Sequence, residues 1–359
     1  MFKITDFDYH LPSENIAHAP ATPRDSSKLL VIDRFTQEIT NKHFYDLADL
    51  LSDEYVIVRN NTKVIPARIY GEKQSGGKVE LLLLKRAGIG KYGEKWEVMT
   101  KPGLKLGQEV SFKNSPLRAT TIGVNGYTRV VEFNLQAEDL FNELDQIGHT
   151  PIPPYINWEE DDEKKLREIY QTIYAKHQGS AAAPTAGLHF TPELDEKIKS
   201  KGIQIYEVTL HVGLGTFLPV KTDQITDHEM HSEKYILNSE TAKRLNQAKK
   251  EGKKILSVGT TTTRLLEACS NDRGELISGE AETKIFIYPQ YQYKFVDAII
   301  TNFHLPKSTL LMMISAFISK PNTGEDFKTF KQSLVGKAYL QAIEDDYRFY
   351  SFGDGMIIL

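Results

Sequence analysis

The sequence has almost no cysteine and no long apolar run. A single cysteine among 359 residues, Cys269, excludes an internal disulfide and any metal site built from several cysteines. The most apolar segment, Thr309–Ile318, is about half as long as the roughly 20 residues that a membrane-spanning helix needs. It predicts a buried helix, and the polar start of the chain shows no signal-peptide pattern. We therefore expect a cytoplasmic protein without a membrane partner.

Positive charge is not in excess either. The 44 Lys and Arg residues are outnumbered by 48 Asp and Glu residues, which gives a formal net charge of −4. The chain thus lacks the overall basic character of many nucleic-acid-binding proteins, although a local basic patch is enough to meet a phosphate backbone. Arg59, Lys63 and Arg68 form such a local cluster.

Two patterns of secondary structure divide the chain. Between residues 63 and 148, short segments rich in β-branched and aromatic residues alternate apolar and polar positions, as half-buried antiparallel strands do. In residues 1–62 and 149–359, strands and helices alternate, which is typical of an α/β domain with a mainly parallel sheet. The sequence therefore predicts a discontinuous α/β domain with an all-β domain, a small barrel, inserted at 63–148.

The loop GTTTTR, residues 259–264, follows a predicted strand of the α/β domain. Ligands bind at this edge of such sheets, where the strands end. A helix N-terminus with four hydroxyls and Arg264 suits a carboxylate or a phosphate. The segment is also consistent with a polar loop in which a threonine only caps the helix. It is not a P-loop, because the GK[ST] ending is missing.

A second such loop, TNFHLPKS, places Asn302, His304 and Lys307 ahead of a very apolar helix. Ser308 is a good N-cap for this helix, so its presence needs no functional explanation. Asn302 and His304 have no such local role, and we expect both to face a cleft. A hydrogen-bonded histidine of an ordinary loop is the alternative.

A third segment, QGSAAAPTAGLHFT (residues 178–191), consists mostly of small residues. Such a run cannot build a core, but it lets a flat group lie against bare backbone. Ser180 and Thr185 remain as hydrogen-bonding groups, and His189 stands at the end of the run. Tight packing of a loop under the next helix, which Thr191 is predicted to cap, is the alternative.

Two other segments hold candidate binding residues. LHVGLGTF places His211 beside Gly213 and Gly215, which suits close approach of a ligand but does not match a dinucleotide-binding fingerprint. YQTIYAKHQ, which includes Tyr170 and Gln171, could stack a base or form the core face of an amphipathic helix.

The segment DHEMHSE carries two histidines and two carboxylates. HExxH is absent, so acid–base work by Glu229 or His231 is more attractive than a zinc site. Cys269 has no His or Asp at a spacing that would indicate a catalytic cysteine. We therefore predict that Cys269 is buried as a small hydrophobic residue.

Together these segments resemble the S-adenosylmethionine:tRNA ribosyltransferase-isomerases of queuosine biosynthesis. The similarity runs from residue 7 to residue 358. The matching segments are FDYHLP, PRDSSKLLVID, NNTKVIPARIYG, GHTPIPPYI, YQTIYA, GSAAAPTAGLHFT, LHVGLGTFLPV, EMHSE, VGTTTTRLLE, TNFHLPKSTLLMM and YRFYSFGDGMII.

The resemblance implies a barrel-like α/β main domain with an inserted Greek-key β-barrel, in a monomer. It implies a transferase that moves the ribosyl moiety of S-adenosylmethionine onto 7-aminomethyl-7-deazaguanine at the wobble position of a tRNA with a GUN anticodon. Isomerisation then gives epoxyqueuosine, and adenine and methionine leave. S-adenosylmethionine is a consumed substrate, and no cofactor or metal ion is expected.

Such a reaction needs a base for a C5′ proton next to the sulfonium and an acid for the departing adenine. We expect both to come from a pool of five residues: His189, His211, Glu229, His231 and His304. The residues expected to bind substrate are Tyr170, Gln171, Ser180, Thr185, Gly187, Gly213, Gly215, Thr260, Thr261, Thr262, Thr263, Arg264, Asn302 and Lys307. The residues expected to contact tRNA are Arg59, Lys63 and Arg68.

Overall fold

The computed structural model describes residues 2–153, 155–156, 162–213 and 220–359. The strands in chain order are β1 (Lys28–Ile32), β2 (Ile39–His43), β3 (Tyr55–Asn60), β4 (Thr62–Val64), β5 (Arg68–Lys73), β6 (Lys78–Ile89), β7 (Glu94–Lys101), β8 (Glu109–Ser111), β9 (Arg118–Asn125), β10 (Thr128–Phe133), β11 (His177–Ser180), β12 (Gln204–Leu210), β13 (Glu233–Leu237), β14 (Lys254–Val258), β15 (Gly279–Thr283), β16 (Ala298–Asn302) and β17 (Gly355–Ile358). The helices are α1 (Leu47–Leu50), α2 (Ala137–Ile147), α3 (Glu163–Ile169), α4 (Pro192–Ser200), α5 (Ser239–Lys250), α6 (Thr260–Cys269), α7 (Thr309–Phe317) and α8 (Leu334–Glu344).

Nine strands form one mixed sheet, in the order β15–β13–β12–β3–β14–β16–β17–β1–β2. The four central strands, from β12 to β16 in this order, are mutually parallel. β17 runs antiparallel to β16 and parallel to β1. Helices cover both faces, and this arrangement confirms the predicted α/β class.

Alternating side chains of the central strands feed two hydrophobic cores. Val56 and Val58 of β3 belong to the core on one face, while Ile57 belongs to the core on the other. Ile255 and Leu256 of β14 divide in the same way. Strands that are buried on both faces read as continuous apolar runs, as YVIV and ILSV do in this sequence.

Six strands of the inserted region form a closed barrel in the order β10–β7–β6–β5–β8–β9. β5, β6 and β7 follow one another as hairpins, and β8 returns to pair with β5. This is the Greek-key order, and it confirms the predicted barrel. The barrel core lies between Ile65 and Leu144 and includes two residues of α2. The domain boundaries at residues 63 and 148 stay predictions.

Helix caps agree in part with the sequence. Thr191 and Ser308 accept hydrogen bonds from the backbone N–H groups of the first turns of α4 and α7, as predicted. α5 is capped by Asn238, whose side chain accepts from the backbone N–H of Thr241. α3 ends at Ile169, so YQTIYA lies in turns and is not the core face of a helix. Within the described part of the chain, no helix is both long enough and apolar enough to cross a membrane.

The parallel strands bring distant loops to one place. β3 ends at Asn60, β12 at Leu210, β14 at Val258 and β16 at Asn302. Because these strands are parallel, their carboxyl ends lie at the same edge of the sheet. The loops that follow β12, β14 and β16 therefore meet there.

Candidate functional site

A pocket opens at this carboxyl edge of the sheet, and we call it the edge pocket. Its empty volume is about 740 Å³, open solvent included. Four of the predicted segments contribute to it, the fourth through Val212 of LHVGLGTF. The lining residues used below are Ala182, Ala183, Thr185, Ala186, Val212, Thr260, Thr261, Asn302, His304, Tyr155, Tyr350 and Ser351.

The small-residue run forms one wall of the edge pocket. Ala182, Ala183 and Ala186 are buried along it, and Thr185 lies half-buried in the wall. Ser180 holds the wall in place, since its hydroxyl donates to the carbonyl of Ala182 at 2.7 Å and accepts from Val212 N–H at 2.9 Å. The run thus presents backbone and methyl groups to the space.

The N-terminus of α6 forms a second wall. Gly259 stands at the N-cap with φ of 88°, a conformation that strongly favours glycine. Thr262 and Thr263 turn their hydroxyls back onto the carbonyls of Val258 and Gly259, at 2.7 and 3.1 Å.

The four threonines therefore divide into two pairs. Thr262 and Thr263 serve the helix itself, whereas Thr260 and Thr261 line the edge pocket. The hydroxyls of Thr262 and Thr263 are therefore engaged within the protein, and Thr261 Oγ1 also accepts from the side-chain N–H of Asn60 at 3.3 Å.

The loop after β16 forms a third wall. The Asn302 side-chain N–H donates to the carbonyl of Tyr350 at 2.9 Å, which fixes the orientation of the amide. Asn302 Oδ1 is buried and has no hydrogen-bond partner among the described residues. His304 Nε2 lies 2.9 Å from the hydroxyl of Thr301. The pocket is thus lined by one amide and one imidazole whose orientations are fixed by hydrogen bonds.

Burial makes three of the predicted acid–base histidines weak bases. It lowers the pKa of His189 and of His211 to about 4 and that of His304 to about 3. Each ring also lies within hydrogen-bonding distance of one hydroxyl, from Ser27, Thr62 and Thr301 respectively. All three rings are therefore neutral near pH 7.

His189 lies behind the edge pocket, not in its wall. Its ring stacks on Phe44 with centroids 4.7 Å apart, and Nδ1 lies 2.8 Å from Ser27 Oγ. Nε2 is buried without a partner among the described residues. Gly187, nearby in the chain, packs against the hydroxyl of Tyr174.

His211 and Gly213 line a second cavity, which we call the barrel cleft. Its empty volume is about 600 Å³, and it lies where the β-barrel meets the main sheet. Barrel residues Lys85, Arg86 and Phe141 form the opposite side. Gly215 lies outside the described residues.

Arg264 faces a third, smaller cavity together with His228 and His231. Its guanidinium is buried and pairs with Glu233, while Nε and Nη2 have no hydrogen-bond partner in the described ranges. Glu229 is exposed and does not line this cavity. Arg264 is thus separate from the threonines with which the sequence grouped it. Within the described residues, no cluster of three or more His, Cys, Asp or Glu side chains could hold a metal ion.

Three other predicted binding residues lie elsewhere. Lys307 is exposed and pairs with Asp8 at 3.0 Å. Tyr170 is fully buried and packs edge-on against Phe352. Gln171 binds the backbone of Val64 on both sides, accepting from N–H at 3.1 Å and donating to the carbonyl at 2.8 Å. Tyr170 and Gln171 therefore have structural contacts next to the candidate site.

The predicted tRNA contacts differ in accessibility. Arg59 is buried, pairs with Asp195 at 2.8 Å and stacks over the Tyr174 ring, so its guanidinium is engaged inside the protein. Lys63 is exposed, and Arg68 is partly exposed beside Glu80 at 3.2 Å. The tRNA contacts of Lys63 and Arg68 stay predictions.

Sequence reasoning missed several residues of the edge pocket. Tyr155 and Ser351 come from segments 196 residues apart, and their hydroxyl oxygens lie 2.6 Å from each other. Tyr350 adopts a positive φ of 73°, which is rare for a bulky residue. The segment YRFYSFGDG was a usable signal, because it places polar aromatics in an irregular stretch between α8 and β17.

Comparisons with known proteins agree with this architecture. The model of the queuosine biosynthesis protein family matches residues 4–358. An S-adenosylmethionine:tRNA ribosyltransferase-isomerase of Desulfitobacterium hafniense is 47% identical over 363 residues, which cover 99% of this chain and 100% of that protein. The 2.00 Å crystal structure of an S-adenosylmethionine tRNA ribosyltransferase from Thermotoga maritima shares 35% identity with a TM-score of 0.54, over 99% of this chain and 100% of the other. The chain therefore belongs to the queuosine biosynthesis protein family and is an enzyme of the transferase class.

Proposed function

We propose that this enzyme transfers the ribosyl moiety of S-adenosylmethionine to tRNA and isomerises it. The observation that carries the proposal is the edge pocket, in which the small-residue run, the N-terminus of α6 and the loop after β16 meet. The family assignment and the 47% identity to a ribosyltransferase-isomerase support the reaction type. The acceptor is 7-aminomethyl-7-deazaguanine at the wobble position of a tRNA with a GUN anticodon. The products are epoxyqueuosine in tRNA, adenine and methionine.

S-adenosylmethionine binds in the edge pocket in this proposal. The N-terminus of α6 offers free backbone N–H groups and a positive dipole end beside Thr260 and Thr261, which suits the methionine carboxylate. Asn302 Oδ1 is a buried acceptor and suits the exocyclic amine of adenine. The bare wall of Ala182 and Ala183 suits the flat purine.

Of the five residues predicted as acid or base, only two suit proton transfer. A neutral imidazole near pH 7 cannot supply a proton as an imidazolium, so the pKa values of His189, His211 and His304 favour orienting and hydrogen-bonding roles for these rings. Glu229 and His231 are exposed in one loop, and His231 lines the cavity that Arg264 faces; these two residues are our candidates for the acid and the base.

The sulfonium of S-adenosylmethionine supplies the activation that the reaction needs. It acidifies the C5′ hydrogens and makes methionine a leaving group, so we propose that S-adenosylmethionine is consumed as a substrate and that no further cofactor takes part. We also propose that the enzyme acts as a monomer in the cytoplasm, where it meets its tRNA substrate.

Release of free adenine tests the proposal. The enzyme is incubated with S-adenosylmethionine and tRNA that carries the aminomethyl base, and small products are separated by chromatography. We expect adenine and methionine in equal amounts, and neither product with tRNA that carries guanine at the wobble position. S-adenosylhomocysteine as the product would show methyl transfer and would contradict the proposal.

A further inference from the structure

We propose that the barrel cleft binds the acceptor nucleobase, a 7-deazapurine, and that Thr62 is the positioning residue that orients His211 toward it. The inference rests on the proposed ribosyl transfer and adds the place of the second substrate. It accounts for a cavity that the binding of S-adenosylmethionine in the edge pocket leaves unused.

The barrel cleft and the edge pocket share a wall. Val212 lines the edge pocket, while its neighbours His211 and Gly213 line the barrel cleft. The small-residue run likewise has Gly179 in the cleft and Ala182 in the pocket, and Ala181 N–H donates to the carbonyl of Val212 at 2.9 Å. Two short backbone segments therefore separate the cavities. Direct transfer between two substrates requires such closeness.

His211 is held in one orientation inside the cleft. Its Nδ1 lies 2.8 Å from the hydroxyl of Thr62, which is fully buried and also lies 3.4 Å from the carbonyl of His177. Gly179 packs so closely on the ring that a Cβ there would lie 3.0 Å from it. Nε2 makes no hydrogen bond within the described residues. The ring therefore offers one fixed nitrogen to a ligand in the cleft.

The state of this nitrogen suits recognition of a base. Burial lowers the pKa of His211 to about 4, so the ring is neutral and one of its nitrogens donates while the other accepts. The contact with the Thr62 hydroxyl determines which of the two nitrogens donates and which accepts. The edge of a 7-deazapurine presents amino, imino and carbonyl groups that can pair with Nε2.

The walls of the cleft suit a nucleotide more than an uncharged metabolite. Phe141 gives an aromatic surface, and Lys85 and Lys234 approach from opposite sides. Both lysines pair with exposed carboxylates, Glu282 and Glu280. Exposed ion pairs contribute little, so phosphates flanking a base could replace these carboxylates at small cost. A base that is turned out of its stack brings an aromatic face together with flanking phosphates.

Photo-crosslinking tests the location directly. The probe is an anticodon stem-loop RNA with a photoreactive purine at the wobble position, and the control RNA carries the same purine in the stem. We expect crosslinks from the wobble position at Lys85, Phe141, Gly179 or His211, and none of these with the control. Crosslinks confined to the edge pocket, or to the exposed Lys105 between β7 and β8, would overturn the inference.

A competition experiment distinguishes binding of the free base from binding of the same base within RNA. Free 7-aminomethyl-7-deazaguanine is added during crosslinking at the concentration of the RNA. We expect no protection, because the flanking phosphates contribute to binding of the RNA. Full protection would show that the cleft takes the free base and would overturn the assignment to tRNA.

Variants of Thr62 test the positioning role. Thr62→Val keeps the shape but loses the hydroxyl, and we expect the KM for tRNA to rise about 3- to 10-fold, the effect of one lost hydrogen bond. The KM for S-adenosylmethionine should stay unchanged, Thr62→Ser should restore the KM for tRNA, and imidazole ¹⁵N shifts should show a changed tautomer of His211 in Thr62→Val only. Equal changes in both KM values would indicate a merely structural role. If wild-type enzyme releases adenine but the crosslinks map elsewhere, this inference alone fails, whereas absence of adenine release would reject the proposed function.

Discussion

At the scale of single residues, the informative side chains are those whose polar atoms are fixed but only partly used. Asn302 donates its side-chain N–H to the carbonyl of Tyr350, and its Oδ1 is buried without a hydrogen-bond partner among the described residues. A buried acceptor without a partner costs free energy, so a ligand that donates to it gains more than an exposed contact would give. The amide cannot turn over without losing its bond to Tyr350, and this makes Asn302 selective for a donor.

Asn302→Leu should weaken discrimination between two donor substrates. S-inosylmethionine carries a carbonyl where adenine has its amine, and this carbonyl would face Oδ1 in the wild type. We expect the ratio of kcat/KM for S-adenosylmethionine over S-inosylmethionine to fall at least about tenfold in the variant. The ratio cancels a general loss of activity, so an unchanged ratio would count against the adenine contact.

At the scale of elements, α6 combines two tasks in one helical turn. Thr262 and Thr263 bond to carbonyls at the end of β14 and the start of the helix, while Thr260 and Thr261 face the edge pocket. The sequence TTTT predicts hydroxyls at a helix N-terminus but not which of them turn inward, because that depends on the rotation of the helix against the sheet.

Thr260→Val and Thr262→Val should therefore act on different quantities. The first should raise the KM for S-adenosylmethionine about threefold or more without a large change in stability. The second should lower the free energy of unfolding by about 1 kcal/mol and leave the KM unchanged. Steady-state kinetics and denaturant unfolding of both variants check this division. The same effect on KM in both variants would contradict it.

Lys63 lies beyond the carboxyl end of β3, whereas Lys253 lies at the opposite edge of the sheet, before β14. Lys63 is exposed and Lys253 is partly exposed, so the charge of both side chains can be reversed without burying a carboxylate. We expect Lys63→Glu to weaken tRNA binding and to lower the slope of log K against log salt concentration by about 1 or more. Lys253→Glu should change neither, and equal effects of both reversals would speak against a tRNA surface near β3.

At the scale of the whole molecule, sequence patterns and tertiary contacts contribute differently. The alternation of strands and helices predicts the α/β class, and parallel strands then place loops such as TNFHLPKS at one edge. Contacts between distant segments do not follow from such patterns. The meeting of Tyr155 with Ser351, the pairing of Arg264 with Glu233 and the burial of Arg59 depend on how the segments pack.

Buried histidines also set the acid stability of the whole fold. His189, His211 and His304 have pKa values lowered to about 4, 4 and 3, so below pH 6.5 the unfolded chain binds protons that the native protein does not. Stability is therefore fully present above pH 6.5 and is lost as the pH falls toward 4. Each histidine contributes a slope of up to roughly 1.4 kcal/mol per pH unit in this window.

The variant His189→Gln isolates one of these protons. We expect the free energy of unfolding, measured by denaturant titration at pH 6.5, 5.5 and 4.5, to fall less steeply in the variant by about one proton. Carboxylates titrate equally in both proteins, so the difference belongs to the histidine. Parallel curves would show that His189 is not neutral in the native state.

The position of β17 has a consequence for the order of events during synthesis. This strand is made after every other strand that the structure describes, yet it lies between β16 and β1 and joins the β1–β2 pair to the rest of the sheet. On a ribosome, the barrel can close as soon as residues up to Leu144 have emerged, because its core is drawn from one contiguous stretch. The β1–β2 hairpin can join the rest of the sheet only after Gly355–Ile358 have been synthesised, because β17 lies between them. The nascent enzyme thus carries a finished barrel and an unfinished sheet until residues 355–358 have emerged.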